Sequence, residues 1–176
     1  MTTPLVIRDA TADDADAVAA VHVRSWQAAY RGLIDQDVLD GLSISERAEG
    51  WRRIFADPLP TSLGTLVAER EGRVVGWASF GSGRDPDGLD DAELYGIYAD
   101  PDAWSTGAGH ALLDAAEERM IAAGHTRSYL WVLDGNDRAD GFYARHGWEL
   151  DGATKLDQRP QLTLREHRRV KLLGPR

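Results

Sequence analysis

The strongest constraint on the fold of this chain is a strand, loop, helix and strand between Ala92 and Leu133. Ala92-Glu93-Leu94-Tyr95-Gly96-Ile97-Tyr98-Ala99 reads as a strand. The loop Asp100-Pro101-Asp102-Ala103-Trp104-Ser105-Thr106-Gly107-Ala108-Gly109 then opens a helix carrying Ala111, Leu112, Ala115, Ala116 and Met120. Gly124 ends that helix, and Tyr129-Leu130-Trp131-Val132-Leu133 supplies a second apolar strand. Strands joined through a helix return to the same end of the sheet, so this pair should lie parallel, with the loop at the carboxyl end of its first strand. A helix start there presents amides without intrahelical partners at the positive end of the helix dipole, which makes an anion site from backbone. Glycines at 107 and 109 permit either close approach of a ligand or tight strand-to-helix packing.

Two nucleotide readings of the loop fail. The dinucleotide fingerprint needs a third glycine where Leu112 stands, and a triphosphatase phosphate loop needs Lys followed by Ser or Thr where His110-Ala111 stand. With 176 residues, 43% of them hydrophobic and 28% charged, the chain is expected to be one domain, 1–176. A net charge of -9 argues against general affinity for nucleic acid or an anionic membrane. Zero cysteines exclude disulfides, thiolate zinc sites and a cysteine nucleophile, and five scattered histidines show no metal-ligand spacing, so no metal is expected. No apolar run approaches the ~20 residues of a membrane helix. Met1-Thr2-Thr3-Pro4 lacks the basic and apolar regions of a signal peptide, so a cytoplasmic location is expected.

Elsewhere, Leu5 to Asp9 reads as a strand, and Thr11 caps a helix reaching about Tyr30. Its Ala15, Val18, Ala19, His22, Val23, Trp26 and Tyr30 share one face, where His22 reads as a packed histidine. A second helix starts at Ser43 or Ser45 and passes through Ala48, Trp51 and Ile54 before the Asp57-Pro58 breaker. Thr65 to Arg70 and Arg73 to Phe80 form a hairpin about Glu71-Gly72, and Gly81 to Asp90 an exposed loop. Asn136 to Arg145 is a short helix, Trp148 opens a strand, and Gln161 to Val170 is a long final strand. Arg165, Arg168, Arg169 and Lys171 read as its solvated face, and its edge offers pairing for a possible homodimer.

Two blocks of this sequence resemble the GNAT superfamily of N-acetyltransferases. One is Glu93 to Pro101 followed by Trp104-Ser105-Thr106-Gly107-Ala108-Gly109; the other is Leu130 to Ala139 with Phe142-Tyr143-Ala144-Arg145-His146-Gly147-Trp148. The family usually has Gln or Arg where this chain has Trp104. The resemblance implies an α/β (α+β) fold: a mixed, mostly antiparallel twisted sheet whose central parallel pair splays apart, flanked by about four helices. It implies direct transfer of acetyl from acetyl-CoA to a primary amine of a small molecule or protein, without metal.

By the same resemblance, the CoA pyrophosphate lies on amides of Ser105, Thr106, Gly107, Ala108, Gly109 and His110, and the pantetheine arm pairs with Ile97, Tyr98 and Ala99. Tyr143 matches the tyrosine that protonates the departing thiolate, against a reading as core packing. Glu93 is the candidate base, against a reading as a solvent-facing carboxylate. Asn136 matches a cofactor-contacting asparagine, and it also suits a helix cap. Gly96 marks either a bulge aiming an amide at the thioester oxygen or a plain strand glycine. Trp26, Tyr30 and Trp51, with Asp85, Asp87, Asp90 and Asp91, are expected to receive the amine. A non-catalytic acyl-CoA sensor or interaction module is the alternative from another class.

Overall fold

Leu66, Val67 and Ala68 are consecutive and all buried, which requires a strand covered on both faces. Leu66 and Ala68 pack with Leu112, Leu113, Ala116 and Met120 on one side, and Val67 packs with Val18, Ala19 and Trp51 on the other. The computed structural model describes residues 4–174; Met1 to Thr3, read above for a signal peptide, lie outside the described residues, as do 175–176. The strands are β1 (Val6–Asp9), β2 (Ser62–Arg70), β3 (Arg73–Ser82), β4 (Ala92–Ala99), β5 (Arg127–Leu133), β6 (Glu149–Arg159) and β7 (Leu162–Leu172). The helices are α1 (Ala15–Ala29), α2 (Gln36–Asp40), α3 (Ile44–Ala56), α4 (Ala108–Ala122) and α5 (Asp137–Arg145). One seven-stranded sheet runs β1-β2-β3-β4-β5-β7-β6, antiparallel throughout except for β4 against β5.

Local chemistry accounts for the helix starts. Thr11 precedes a single 3₁₀ turn, Ala12–Asp14, where the Asp14 carboxylate accepts the Thr11 amide at 2.8 Å and a two-pronged contact from Arg8. Ser43 caps α3, its hydroxyl accepting from the Glu46 amide. The parallel β4–β5 pair, the loop at its carboxyl end and the hairpin about Glu71-Gly72 follow the sequence reading. The helix α2 does not: five residues are too few to display a period, and it is marked only by Asp35 accepting from the Asp37 amide.

Two expectations for the last strand are overturned. β7 is internal, paired with β5 on one side and β6 on the other, so it offers no edge for a second subunit. Arg165 is exposed as expected, but the other basic residues are not a solvated face. Arg168 is 8% exposed and Arg169 7%; Arg168 grips Asp87 and Asp151, and Arg169 binds Asp140 and the Trp148 carbonyl. Lys171 reaches Glu117, which also accepts the Trp148 indole. Alternation with apolar residues marked the strand correctly, but the facing carboxylates lie far away in sequence and turn the basic face inward.

Candidate active site

The site begins where β4 and β5 part. They pair only at Ala92 with Ser128 and Glu93 with Tyr129, so β4 beyond Glu93 runs without β5 at its side. On its other edge β4 gains one residue against β3: Ser79 faces Gly96 and Phe80 faces Leu94, which leaves Tyr95 as the extra residue of a bulge. The glycine beside it is required by packing as well, since a Cβ on Gly96 would lie 3.2 Å from the Tyr98 ring and 3.3 Å from Trp77.

A cleft of about 320 Å³ lies along this splay and is lined by Ile97, Tyr98, Ala99, Ser105, Gly107, Gly109, His110, Asn136 and Tyr143, among others. Gly107 precedes α4 with φ +91°, a conformation L side chains rarely adopt, and open space surrounds its missing Cβ. The first amides of α4 have no intrahelical partner, and Gly107, Gly109 and His110 line the cleft. Thr106 does not join them: its amide and hydroxyl both turn to the Ala103 carbonyl, at 3.4 and 2.6 Å. Ala108 is buried in the core and lines neither cleft. Trp104, the departure from the family pattern, donates its indole N–H to the Ala99 carbonyl at 2.9 Å and lies under the Arg138 guanidinium, 4.1 Å from the ring centre. That carbonyl is thereby occupied, on the edge of β4 that β5 leaves open; Ile97 shares that edge, whereas the Tyr98 backbone turns toward β3. His110 and His146 join through Nδ1 and Nε2 at 2.8 Å; because His146 Nδ1 faces the Phe142 carbonyl at 2.7 Å and must donate, neutral His146 accepts from His110.

A second cleft, about 160 Å³, opens on the other side of the splay and contains Trp26, Tyr30, Arg84, Glu93, Lys155, Asp157, Arg159 and Glu166. Ile97, Tyr98, Asn136, Ala139 and Tyr143 line both clefts. Asn136 caps α5, accepting from the Ala139 amide at 3.3 Å, which fulfils the capping reading and sets its side chain between the two. Trp26 and Tyr30 are at once core and wall: they pack with Ile34, Leu39, Leu133 and Leu164, and the Tyr30 hydroxyl meets that of Tyr98 at 2.9 Å. Tyr143 is 8% exposed, and its hydroxyl has no hydrogen-bond partner among the described residues. Burial first, then Tyr98, pushes its phenol well above the ordinary value, so it stays protonated. His22 is packed as expected, stacked on Tyr98 with rings 5.8 Å apart, and burial with the charges of Arg47 and Arg159 lowers its pKa to about 3.

Glu93 overturns the solvent-facing alternative, being 3% exposed. Oε2 accepts from the Arg84 amide, Arg84 Nε and the Tyr129 hydroxyl, whereas Oε1 accepts only Arg84 Nη2, at 2.8 Å. Of the aspartates expected beside the amine, Asp85 accepts the Trp131 indole, Asp87 pairs with Arg168 and Asp91 with Arg127. They tie the loop to the sheet and line neither cleft, nor does Trp51, which packs on Trp77. Arg159 and Glu166 were missed because their strand pattern names a face but no partner, and Arg84 because it lies in the loop between β3 and β4, where no period applies. No group able to hold a metal is present among the described residues, and none of their helices is long and apolar enough to cross a membrane.

A splayed parallel pair with a glycine-led helix start at its end defines a class, and comparison with known proteins gives it a family. The sequence model of the Acetyltransferase (GNAT) family matches residues 23–148, and the chain belongs to that family. It is 34% identical over 133 residues to the uncharacterized N-acetyltransferase YuaI of Bacillus subtilis, covering 75% of this chain and 73% of that one. A GCN5-related N-acetyltransferase from Rhodopseudomonas palustris shares the fold at a TM-score of 0.76, with 22% identity over 98% of each chain. The PaiA N-acetyltransferase from Thermoplasma acidophilum, in complex with coenzyme A, does so at 0.70 with 20% identity, covering 93% of this chain and 98% of that one. The enzyme class is accordingly that of the N-acetyltransferases.

Proposed function

We propose that this protein transfers acetyl from acetyl-CoA directly to a primary amine, with CoA in the larger cleft and the amine in the smaller. The observation that carries the reading is their common wall of Ile97, Tyr98, Asn136, Ala139 and Tyr143. Reactants that meet there from separate entrances gain proximity without an enzyme-bound acyl group. The amides of Gly107, Ala108, Gly109 and His110, with Ser105 beside them, suit the pyrophosphate. The Ile97 backbone suits a pantetheine amide, since it lies on the edge of β4 that lacks β5 there, and Tyr98 lines the cleft beside it.

Acetyl-CoA supplies the activated acetyl thioester when bound. Glu93 Oε1, with one hydrogen bond against three on Oε2, takes the proton that the attacking amine must lose, directly or through a water. As the N–C bond forms and the C–S bond breaks, an amide past the Tyr95 bulge steadies the charge on the carbonyl oxygen, and Tyr143 gives its proton to sulfur. Asn136 holds the boundary between the clefts. Thiol release from acetyl-CoA across a panel of small amines and amine-bearing peptides tests this, and release with at least one primary amine is the expected result. Tight CoA binding with no turnover of any amine overturns it in favour of an acyl-CoA sensor.

A further inference from the structure

The two clefts differ in charge. The smaller holds three carboxylates and three cations, whereas the charged residues lining the larger are Arg138 and Arg145, and no Asp or Glu joins them among the described residues. In a chain of net charge -9 this is a local reversal of sign, and it falls where the glycine-led start of α4 opens. Arg145 has a structural reason for its place, since it lies in the last turn of α5, where a cation offsets the negative end of the helix dipole. Arg138 has none. It lies in the first turn of the same helix, where the dipole disfavours a cation, and it makes no ion pair or side-chain hydrogen bond among the described residues.

What holds Arg138 is an aromatic surface. Its guanidinium carbon lies 4.1 Å from the centre of the Trp104 ring, and Trp104 is itself fixed by its indole N–H on the Ala99 carbonyl at 2.9 Å. Stacking uses the face of a guanidinium and leaves its N–H donors free at the edge, in the planar fork that matches two phosphate oxygens. A fork held in place before a ligand arrives loses less conformational freedom on binding. Trp104 also sets where the fork stands: its side chain is tied to the end of β4, and its backbone belongs to the loop that leads into Gly107.

We infer that Arg138, laid on Trp104, binds the diphosphate of CoA, as the side-chain counterpart of the amides that begin α4. This rests on the acetyl-CoA reading of the larger cleft. Trp104 spans the junction from Ala99 on β4 to the glycine loop, and both it and Arg138 line that cleft. The diphosphate, rather than the 3′-phosphate on the ribose beyond it, is the part of CoA at the corresponding junction of arm and nucleotide.

Calorimetric titration of CoA and of dephospho-CoA, which lacks the 3′-phosphate, tests the assignment without turnover. Arg138→Gln should weaken both at least about 10-fold, the loss of a charge-assisted two-pronged contact, while its melting temperature stays within about 2 °C of the parent. Arg138→Lys should regain only part of that affinity, because lysine keeps the charge and lacks the fork. Trp104→Leu should weaken CoA at least about 3-fold in the parent and less than that on the Arg138→Gln background, where no fork is left to hold. Unchanged CoA affinity in Arg138→Gln overturns the inference, and so does a loss confined to CoA, which would put the arginine on the 3′-phosphate. Equal losses from Trp104→Leu on the two backgrounds overturn the aromatic platform. A parent that binds neither compound sinks the acetyl-CoA reading itself, whereas the expected losses without turnover of any amine sink acetyl transfer and leave Arg138 on the diphosphate.

Discussion

Replacing Tyr143 by Phe removes one oxygen from the wall shared by the two clefts, and the structure sets what that should do. The ring packs on Trp148 and Phe142 and would stay in place. Because the hydroxyl has no protein partner among the described residues, its loss should change stability by less than about 0.5 kcal/mol, or roughly 2 °C in Tm for a chain of this size. The kinetic effect should be larger. Positioned acids contribute about 100- to 10,000-fold. This phenol is raised above its ordinary ~10, whereas a thiol resembling that of cysteine sits near ~8.5, so proton transfer to sulfur is uphill by more than about 2 kcal/mol. A donor so mismatched belongs at the low end of that range, and kcat should fall about 100-fold, or about 2.7 kcal/mol in the barrier. Steady-state thiol release at saturating amine, run beside thermal melts, measures both quantities. A parent-like kcat with an unchanged melt refutes the acid role, and a melt lowered by more than about 5 °C refutes the claim that the hydroxyl is unpartnered.

The proposed cradle is tested by Gly107→Asp: φ +91° imposes strain of about 1–2 kcal/mol on an L residue, and the carboxylate would repel a pyrophosphate bound there. CoA affinity should fall at least about 10-fold in a titration, with Gly107→Ala separating strain from charge; unchanged affinity for the aspartate variant would contradict the assignment. Arg168→Met should cost about 3 kcal/mol in denaturant unfolding, near 6–12 °C in Tm, because Asp151 is left half-paired beneath the loop; a loss under about 1 kcal/mol would return this residue to the solvated face. His167 lies between Asp134 and Asp140, at 2.6 and 2.9 Å. Burial lowers its pKa, but those two hydrogen bonds outweigh it and the net shift is upward from 6.5, while Arg169, opposed by burial and aided by His167, lowers Asp140 to about 2. The histidine's stabilisation is complete below 6.5 and fades as pH rises through its folded value; that of Asp140 is complete above 3.8 and fades as pH falls toward 2. Melts of the parent should therefore decline above pH 6.5 in a way that His167→Asn does not, and parallel curves for the two would exclude a stabilising charge on His167 between these aspartates.

What the amino-acid order determined by itself is local and periodic. Ala92 to Ala99 displayed a strand, Gly107 a helix start, Asn136 a cap and Gly124 a stop, because each is written within a few neighbouring residues. The crossover from β4 to β5 followed from chain geometry, and with it the place of the glycine-bearing loop at the carboxyl end of β4. The tertiary structure decided everything that needs a partner distant in sequence. Glu93 became a buried, clamped carboxylate through Arg84 and Tyr129, Arg168 turned inward for Asp87, and β7 lost its edge to β6. A strand's period says which way a side chain points, but the charge it meets is set by register and packing, and those fix the chemistry of this cleft.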